Sequence, residues 1–346
     1  MKENDFLLPN KGYKVLVRCT TYNQAVYIEE AMNGFTMQKT NFPYICVIVD
    51  DASTDGEQVV IKNYFESNFD LEDKTIFRSE ETDDYVLEFA RHKINHNCFF
   101  VALFLKYNHY RIKKDKDAYY SEYRDKAKYI ALCEGDDYWI DDLKLQRQVD
   151  LLDSDSNCSL CYHACKNVFE DNYKGVKVPV CESVMEKLTY KAFMPGYPFQ
   201  TASVVYRSSV HNSPLFKNVK SNGIVSSSIL FITIGQFGYF RGFNEQMAVY
   251  RRNAEGVSVK YKDKNWKLYL MTQVNICGFF NRKVKYYFVF KTIGPMLFNL
   301  FLKSKKEFWQ MAMYSIKRHP SIFISFLSYI TTIYTKRVFN RIFNRM

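Results

Sequence analysis

The sequence predicts an α/β fold in which a mixed, mostly parallel sheet is flanked by helices, followed by a C-terminal helical extension. Three observations lead to this expectation. Apolar β-branched runs alternate with helix-periodic segments near the amino terminus. Two of those runs end in clustered carboxylates. The pattern then changes after residue 258, where apolar-aromatic blocks alternate with short basic ones.

The first four elements set the fold class. The run KVLVRC (14–19) reads as a strand, and apolar residues at helical spacing predict a helix over 24–38. YICVIVDD (44–51) is an almost continuous β-branched run, which is typical of a strand buried on both faces of a parallel sheet. A turn, ASTDG, can cap the next helix, predicted over roughly 57–68. Strand–helix units of this kind connect by right-handed crossovers.

The middle of the chain is less regular. The run 89–104 contains a strand or a short helix, and the tyrosine-rich basic stretch 107–128 reads as a long loop plus a helix over the sheet edge. KYIALCEGDDYW (128–139) is a further strand ending in carboxylates, and 141–155 has the leucine spacing of a helix.

The remaining pattern predicts two domains. Strands are expected at 159–169 and 200–207, followed by a helix and a closing strand that ends near residue 253. These complete a first domain over 1–258, and a basic amphipathic helical region follows over 259–346.

The charge distribution favours a membrane surface for this last region. The chain has a net charge of +11, yet residues 1–258 contain 31 Lys+Arg against 35 Asp+Glu, whereas 259–346 contain 17 against two. Apolar blocks flanked by Lys and Arg suit helices lying in the interface of an anionic membrane. Neither block reaches the roughly 20 apolar residues of a spanning helix. Interleaving with Phe, Leu and Ile argues against a nucleic-acid partner.

The amino terminus and the cysteines indicate a reducing compartment. MKENDFLLPNKGYKVLV lacks the features of a secretory signal, so we expect a cytoplasmic protein, peripheral at the inner face of the membrane, with reduced thiols. A cluster with zinc-like spacing comprises Cys158, Cys161, His163 and Cys165. It lies in a strand-like segment without a second ligand pair, which favours buried core thiols over zinc.

Two acidic clusters mark the candidate site. Asp50–Asp51 and Glu134–Asp137 each follow a predicted buried strand. In open α/β sheets, ligands bind outside the carboxyl ends of the strands. Carboxylates gathered there can hold a hard divalent cation, with a nucleoside diphosphate supplying further oxygen ligands. The alternative is that each aspartate only caps a turn or helix.

Three segments together resemble the family 2 glycosyltransferases with the GT-A fold. They are VLVRCTTYNQAVYIEEAM, VIVDDASTDG, and KYIALCEGDDYW followed by LKLQRQVDLL. The resemblance covers about residues 13–155, with a weaker match over 237–258, and is nearest to bacterial enzymes that build surface polysaccharides. It implies transfer of a sugar from a nucleotide-diphosphate donor, usually a UDP-sugar, to a glycan or lipid-linked acceptor, with inversion and with Mn²⁺ or Mg²⁺.

The resemblance also implies roles for particular residues. Glu134-Gly135-Asp136 occupies the Asp-x-Asp position, with Asp136 as metal ligand and Asp137 in support. The residues implied to bind the donor are Thr20, Tyr22, Asn23, Asp50, Asp51, Glu134 and Asp137. Of these, Asp50 and Asp51 would contact the base and ribose. Lys113 and Lys114, near Asn108, could reach a diphosphate, although a solvated loop explains them equally well.

Two departures leave the catalytic base unassigned. Where the resemblance implies a general-base aspartate, the sequence reads Ser226-Ser227-Ser228, and no acidic residue occurs between Glu186 and Glu245. A serine hydroxyl does not accept a proton near neutral pH as a carboxylate does. Asn253 stands where a histidine is usual, and Glu255 replaces a glycine. An alternative is therefore a degenerate homologue that binds nucleotide-sugar or a partner enzyme without turnover.

Overall fold

A computed structural model describes residues 12–175, 177–189, 198–221, 227–254 and 266–343. The chain divides into two compact units. Unit 1 comprises Met1–Lys187, Pro198–Ser209 and Gly238–Ala254. Unit 2 comprises Leu188–Tyr197, Val210–Phe237 and Glu255–Met346. The predicted domain boundary at 258/259 lies outside the described residues.

A single sheet forms the framework of unit 1, and it is built from eleven strands among the residues that the structure describes. The strands are β1 Val15–Thr21, β2 Tyr44–Asp50, β3 Arg78–Glu81, β4 Tyr85–Arg91, β5 Cys98–Leu105, β6 Tyr129–Leu132, β7 Tyr138–Trp139, β8 Cys158–Phe169, β9 Lys187–Leu188, β10 Val205–Arg207 and β11 Tyr239–Arg252.

The order of the strands is β3-β4-β5-β2-β1-β6-β10-β8-β11-β7, and β9 pairs with β11. β5, β2, β1 and β6 are parallel neighbours, and β8 and β11 form a second parallel pair with the same direction. β4, β10 and β7 run the opposite way. The sheet is thus mixed and mostly parallel, as the sequence predicted.

The burial of the central strands explains their sequences. Every residue of β2 and β5 is buried, so both faces of these strands require apolar side chains. β1 alternates instead, because Val15, Val17 and Cys19 enter the main core while Arg18 and Thr20 remain half-buried on the other face.

Helices of unit 1 cover this sheet. They are α1 Ile28–Thr36, α2 Glu57–Asn68, α3 His109–Ile112, α4 Ser121–Lys126 and α5 Lys144–Ser154. Buried Ile28, Met32 and Phe35 recur at helical spacing in α1 and join the main core. Gly34 is required where α1 meets β7, because a Cβ there would lie 2.8 Å from the backbone nitrogen of Trp139.

The stretch 71–128 contains more strand than the sequence suggested. β3, β4 and β5 form an antiparallel meander at one end of the sheet. The run 89–104 therefore belongs to two strands joined by a turn. The prediction of a loop with a helix over 107–128 holds, because α3 and α4 are short and a 3₁₀ turn over Asp117–Tyr120 separates them.

Unit 2 is helical where it is described. Its helices are α6 Ser209–Asn212 (which begins in unit 1), α7 Pro214–Ser221, α8 Ser227–Ile234, α9 Trp266–Cys277, α10 Arg282–Phe288, α11 Gly294–Lys303, α12 Lys305–Arg318 and α13 Ser321–Phe343, with a π-helical turn over Val289–Ile293. The predicted C-terminal helical extension is therefore present. Within the described ranges, none of the helices is sufficiently long and apolar to cross a bilayer.

Candidate functional site

The carboxyl ends of several co-directional strands meet at one edge of the sheet. β1 ends at Thr21, β2 at Asp50, β6 at Leu132 and β11 at Arg252. Both acidic clusters follow directly from these ends, as the sequence predicted. The segment Glu134–Asp137 is called the carboxylate loop below.

The end of β1 lies between the two acidic clusters. Thr21 is in register with Asp50, and its carbonyl accepts a hydrogen bond from the Asp51 amide over 3.0 Å. On the other side, the Gly135 amide donates to the Thr20 carbonyl over 3.4 Å. The site therefore has β1 at its centre, with Asp50–Asp51 on one flank and the carboxylate loop on the other.

Gly135 allows the close approach of the carboxylate loop to β1. A Cβ at this position would lie 2.4 Å from Oγ1 of Thr21 and 2.6 Å from Oε1 of Gln24. Real Cβ atoms do not approach so closely, so any side chain here would push the loop away from the strand. The middle residue of Glu134-Gly135-Asp136 is thus fixed by packing.

The carboxylates of this loop differ in environment. Glu134 has a buried Oε2 without a hydrogen-bond partner. Burial, and next the charge of Glu134, raises the pKa of Asp136 to about 6. Asp137 is only 3% exposed, and burial followed by Asp136 raises its pKa well above the usual range. Like charges held together in this way favour a bound cation.

Arg251, on β11, is the cation that holds the carboxylate loop. Its amide donates to Oδ1 of Asp137 over 2.9 Å, and its guanidinium donates to the Asp136 carbonyl over 3.1 Å. The same group pairs with Glu30 over 2.5 Å and with Glu170 over 2.7 Å. Glu30 and Glu170 are thus the carboxylates that pair with the guanidinium, which contacts the backbone carbonyl of Asp136 rather than its side chain.

Aromatic rings enclose the Arg251 guanidinium. Its central carbon lies 4.4 Å from the ring centre of Tyr27 and 5.1 Å from that of Tyr138. Such faces stabilise a guanidinium that has left water. Arg251 is only 6% exposed.

Asp50 and Asp51 serve different purposes. Oδ1 of Asp50 accepts hydrogen bonds from Gln58 (2.6 Å) and the Ser53 amide (3.1 Å), whereas Oδ2 is buried without a partner. Both oxygens of Asp51 already accept hydrogen bonds, from the amides of His109 (2.7 Å) and Tyr110 (3.1 Å). Asp51 therefore fastens α3 to the edge, whereas Asp50 has one buried carboxylate oxygen without a hydrogen-bond partner.

Glu57 joins the loop after β1 to the loop after β2. This carboxylate is fully buried, and it accepts hydrogen bonds from the Gln24 amide (2.9 Å), the Ser53 hydroxyl (2.8 Å) and the Thr21 hydroxyl. Burial raises its pKa to about 7. Glu57 is not recognisable as a site residue from the sequence, since its first-turn position in α2 suggests only helix capping.

The other residues predicted to bind a donor, Thr20, Tyr22 and Asn23, lie beside this network. Asn23 has a positive φ of 54°, its amide donates to the Ser53 hydroxyl over 2.9 Å, and its side chain accepts from the Thr54 amide over 2.8 Å. Tyr22 is half-buried, and the Arg111 guanidinium donates to its hydroxyl over 3.3 Å. Thr20 is half-buried beside them.

The basic loop is held by interactions within the chain. Lys114 pairs with Asp84 over 2.7 Å, and Asn108 caps α3 and donates to the Asp51 carbonyl over 3.0 Å. Lys113 adopts a positive φ of 56° at the end of that helix. A different lysine, Lys116, reaches the site and pairs with Asp51 over 3.1 Å. Lys113 and Lys114 are both exposed, so the alternative of a solvated loop remains open beside a role at a diphosphate.

Asn253 touches the Asp136 carboxylate. Its side-chain nitrogen donates to Oδ2 of Asp136 over 3.3 Å, and the residue is only 3% exposed. Ser227 and Ser228 begin α8 in unit 2. Ser226 and Glu255 lie outside the described residues.

The cysteine cluster belongs to the sheet interior. All four members of the cluster are buried in β8, namely Cys158, Cys161, His163 and Cys165. The three cysteines are free thiols. Across the described part of the chain, no group of three or more His, Cys, Asp or Glu side chains is placed to hold a metal ion.

Comparison with known sequences gives uncharacterized relatives. No family model matches the chain. The uncharacterized protein Rv1520 of Mycobacterium tuberculosis and the uncharacterized protein Mb1547 of Mycobacterium bovis are each 32% identical to it over 237 residues. The alignments cover 68% of this chain and 58% of each relative, so the chain spans less than two thirds of their length.

Comparison with solved structures gives distant similarities. Residues 1–349 of TarS from S. aureus, in complex with UDP, align at a TM-score of 0.44 with 13% identity over 91% of both chains. The mannosyltransferase PcManGT from Pyrobaculum calidifontis, in complex with GDP-Man and Mn²⁺, aligns at 0.43 with 15% identity, over 96% of this chain and 82% of that one. Similarity at this level carries no inference about ligands or activity.

Proposed function

We propose that the chain is a glycosyltransferase of the family 2 type, which transfers a sugar from a nucleotide-diphosphate donor to a glycan or lipid-linked acceptor. The observation that carries this proposal is the pair of buried carboxylate oxygens without partners on the two flanks of β1, Asp50 Oδ2 and Glu134 Oε2. A buried polar atom without a partner is costly, and a ligand that pairs with it removes that cost.

The two flanks suit two parts of one donor. On the β2 flank, Asp50 Oδ2 would accept a hydrogen bond from the base or ribose, and the loop with Tyr22 and Asn23 would line the nucleotide. That loop is already held by Glu57, so little ordering is required when the donor binds. The family resemblance leads us to propose a UDP-sugar.

The residues of the carboxylate loop fit a hard divalent cation such as Mn²⁺ or Mg²⁺. Asp136, the unpartnered oxygen of Glu134 and the amide oxygen of Asn253 are the oxygen donors that such cations prefer. When bound, the cation would offset the charge that gathers on the departing diphosphate. Arg251 would hold the carboxylate loop in position, and Asp137 would contribute by accepting the hydrogen bond from the Arg251 amide.

The second candidate is a degenerate homologue that binds the nucleotide-sugar without turnover. The absence of acidic residues between Glu186 and Glu245 favours it, because that interval contains the position at which the resemblance implies a general base. In the first candidate, another acid would accept the acceptor proton and the sugar would be transferred with inversion.

One experiment separates these candidates. Purified full chain is incubated with UDP-sugars, Mn²⁺ and mixed glycan and lipid-linked acceptors, while UDP release and donor binding are measured for wild type and Asp136→Asn. The control is Asp142→Asn, since Asp142 is a half-buried carboxylate outside the carboxylate loop that pairs with Lys39 over 2.6 Å. Turnover abolished in Asp136→Asn alone supports the transferase. Mn²⁺-dependent donor binding without turnover favours the degenerate homologue, and no donor binding contradicts both.

A further inference from the structure

A surface of unit 2 exposes large apolar side chains. The turn between α11 and α12 consists of Ser304 alone. Four large apolar residues near this turn are exposed to solvent. They are Phe301, Leu302, Trp309 and Met313, which are 41%, 62%, 58% and 48% exposed and are called the apolar patch. Large apolar side chains exposed close together are typical of a surface that contacts a partner or a membrane.

Ring contacts within the hairpin connect the two helices that carry the patch. The ring of Phe308, itself buried, lies 5.2 Å from that of Phe301 and 5.3 Å from that of Trp309. Trp309 and Met313 are four residues apart on α12 and share a helix face. The patch therefore extends from the end of α11 along one side of α12.

Lysines surround the turn at the end of this patch. Lys303, Lys305 and Lys306, called the lysine cluster, are exposed, and none forms an ion pair with another described residue. Glu307 is the only acidic residue between positions 266 and 343. A group of like charges next to an exposed apolar surface suits a partner that is both anionic and apolar.

We propose that the α11–α12 hairpin docks the chain on an anionic lipid bilayer, with the apolar patch in the interface and the lysine cluster on the headgroups. Tryptophan side chains are favoured at the boundary between the apolar interior of a bilayer and water, which is where Trp309 would lie. A second copy of the chain is a poorer occupant, because a symmetric contact would bring two lysine clusters together. This inference does not depend on the proposed transfer reaction.

The experiment measures co-sedimentation of the full chain with phosphatidylcholine vesicles, with and without phosphatidylglycerol. We expect binding only to the anionic vesicles. Leu302→Ser/Trp309→Ser should weaken it at least about tenfold, because two interfacial side chains are lost. Replacing the lysine cluster by Gln should also weaken it at least about tenfold, and added salt should mimic this change.

A matched control uses exposed apolar residues of unit 1. Ile94 and Val59 are 87% and 60% exposed, so Ile94→Ser/Val59→Ser removes comparable side chains elsewhere and should leave vesicle binding unchanged. Tryptophan emission should shift to shorter wavelength with anionic vesicles, and Trp309→Phe should remove that shift. Circular dichroism verifies that each variant is folded.

Several outcomes overturn the proposal. Binding that is unaffected in folded variants of the patch or of the lysine cluster would show that another surface contacts the lipid. Equal binding to both kinds of vesicle would exclude the role of the lysine cluster. Sedimentation velocity without vesicles detects self-association, and a dimer lost in Leu302→Ser/Trp309→Ser without any lipid binding would assign the patch to a second copy.

Discussion

The amide of Arg251 donates to the Asp137 carboxylate over 2.9 Å, although 114 positions separate the two residues in the sequence. The guanidinium of the same residue pairs with Glu30 and Glu170 and binds the Asp136 carbonyl. One side chain on the closing strand thus connects the carboxylate loop with α1 and with the end of β8.

Arg251→Met is expected to lower both stability and cation binding. Removing one member of a buried charge network leaves Glu30 and Glu170 without their partner, which costs about 3–5 kcal/mol in buried pairs and less here because Glu30 is half exposed. Urea denaturation measures the free energy of unfolding, and a Mn²⁺ titration measures binding. The neighbouring Arg252→Met is the control, since the Arg252 guanidinium lies over the rings of Tyr173 and Tyr250. Equal losses in both variants would contradict the prediction.

Asp50→Asn and Asp51→Asn are expected to separate binding from stability. An amide at position 50 can keep its oxygen toward Ser53 and Gln58, so the free energy of unfolding should stay within about 1 kcal/mol of wild type. UDP affinity should nevertheless fall, because the unpartnered Oδ2 becomes an amide nitrogen. Asp51→Asn removes an acceptor from the α3 amides and should cost about 1–3 kcal/mol. Chemical denaturation and calorimetry with UDP measure the two effects. A large stability loss in Asp50→Asn would refute the assignment.

Gly135→Ala is expected to displace the carboxylate loop from β1. The added methyl group would overlap the side chains of Thr21 and Gln24, and overpacking of this kind costs about 1–3 kcal/mol. Mn²⁺ affinity should fall along with stability. Gly56→Asn is a useful control, because a Cβ there meets nothing within 4 Å and asparagine tolerates its positive φ. If Gly135→Ala binds Mn²⁺ as wild type does, the loop does not depend on this packing.

Glu57 is expected to make stability depend on pH. Burial raises its pKa from 4.5 to about 7, so the folded state retains a proton that the unfolded state loses between these values. Its contribution is therefore fully present below about pH 4.5 and is lost as the pH rises through about 7.

Wild type should then lose about 1–3 kcal/mol more than Glu57→Gln between pH 5 and 8. Urea denaturation of both proteins across this range measures the difference, and contributions from other titrating groups cancel. Parallel stability profiles would show that Glu57 keeps its ordinary pKa.

The sequence predicted the elements whose pattern is set by burial. β2 is buried along its whole length and α2 begins after a turn signal, so both were expected with nearly the observed bounds. β3 was missed because RSEE is polar and half exposed at the sheet end, where pairing with β4 decides its conformation.

The candidate site was predictable in part for the same reason. Strand ends can be recognised from local runs, and both acidic clusters do meet at one edge. The partners of Arg251, in contrast, are distant in sequence, and nothing local distinguishes it from Arg252. Likewise, no local signal shows that both carboxylate oxygens of Asp51 accept hydrogen bonds while one oxygen of Asp50 does not. The difference arises because amides of α3, distant in sequence, donate to Asp51.

The pairing of Arg251 with Glu30 has a consequence for folding while the chain is being synthesised. All carboxylates of the loop leave the ribosome well before residue 251, and 221 positions separate Arg251 from Glu30. Until β11 has been made, the growing chain carries an acidic cluster without its internal cation. We therefore expect a fragment that ends before β11 to lack an ordered carboxylate loop, even where the first strands have already paired.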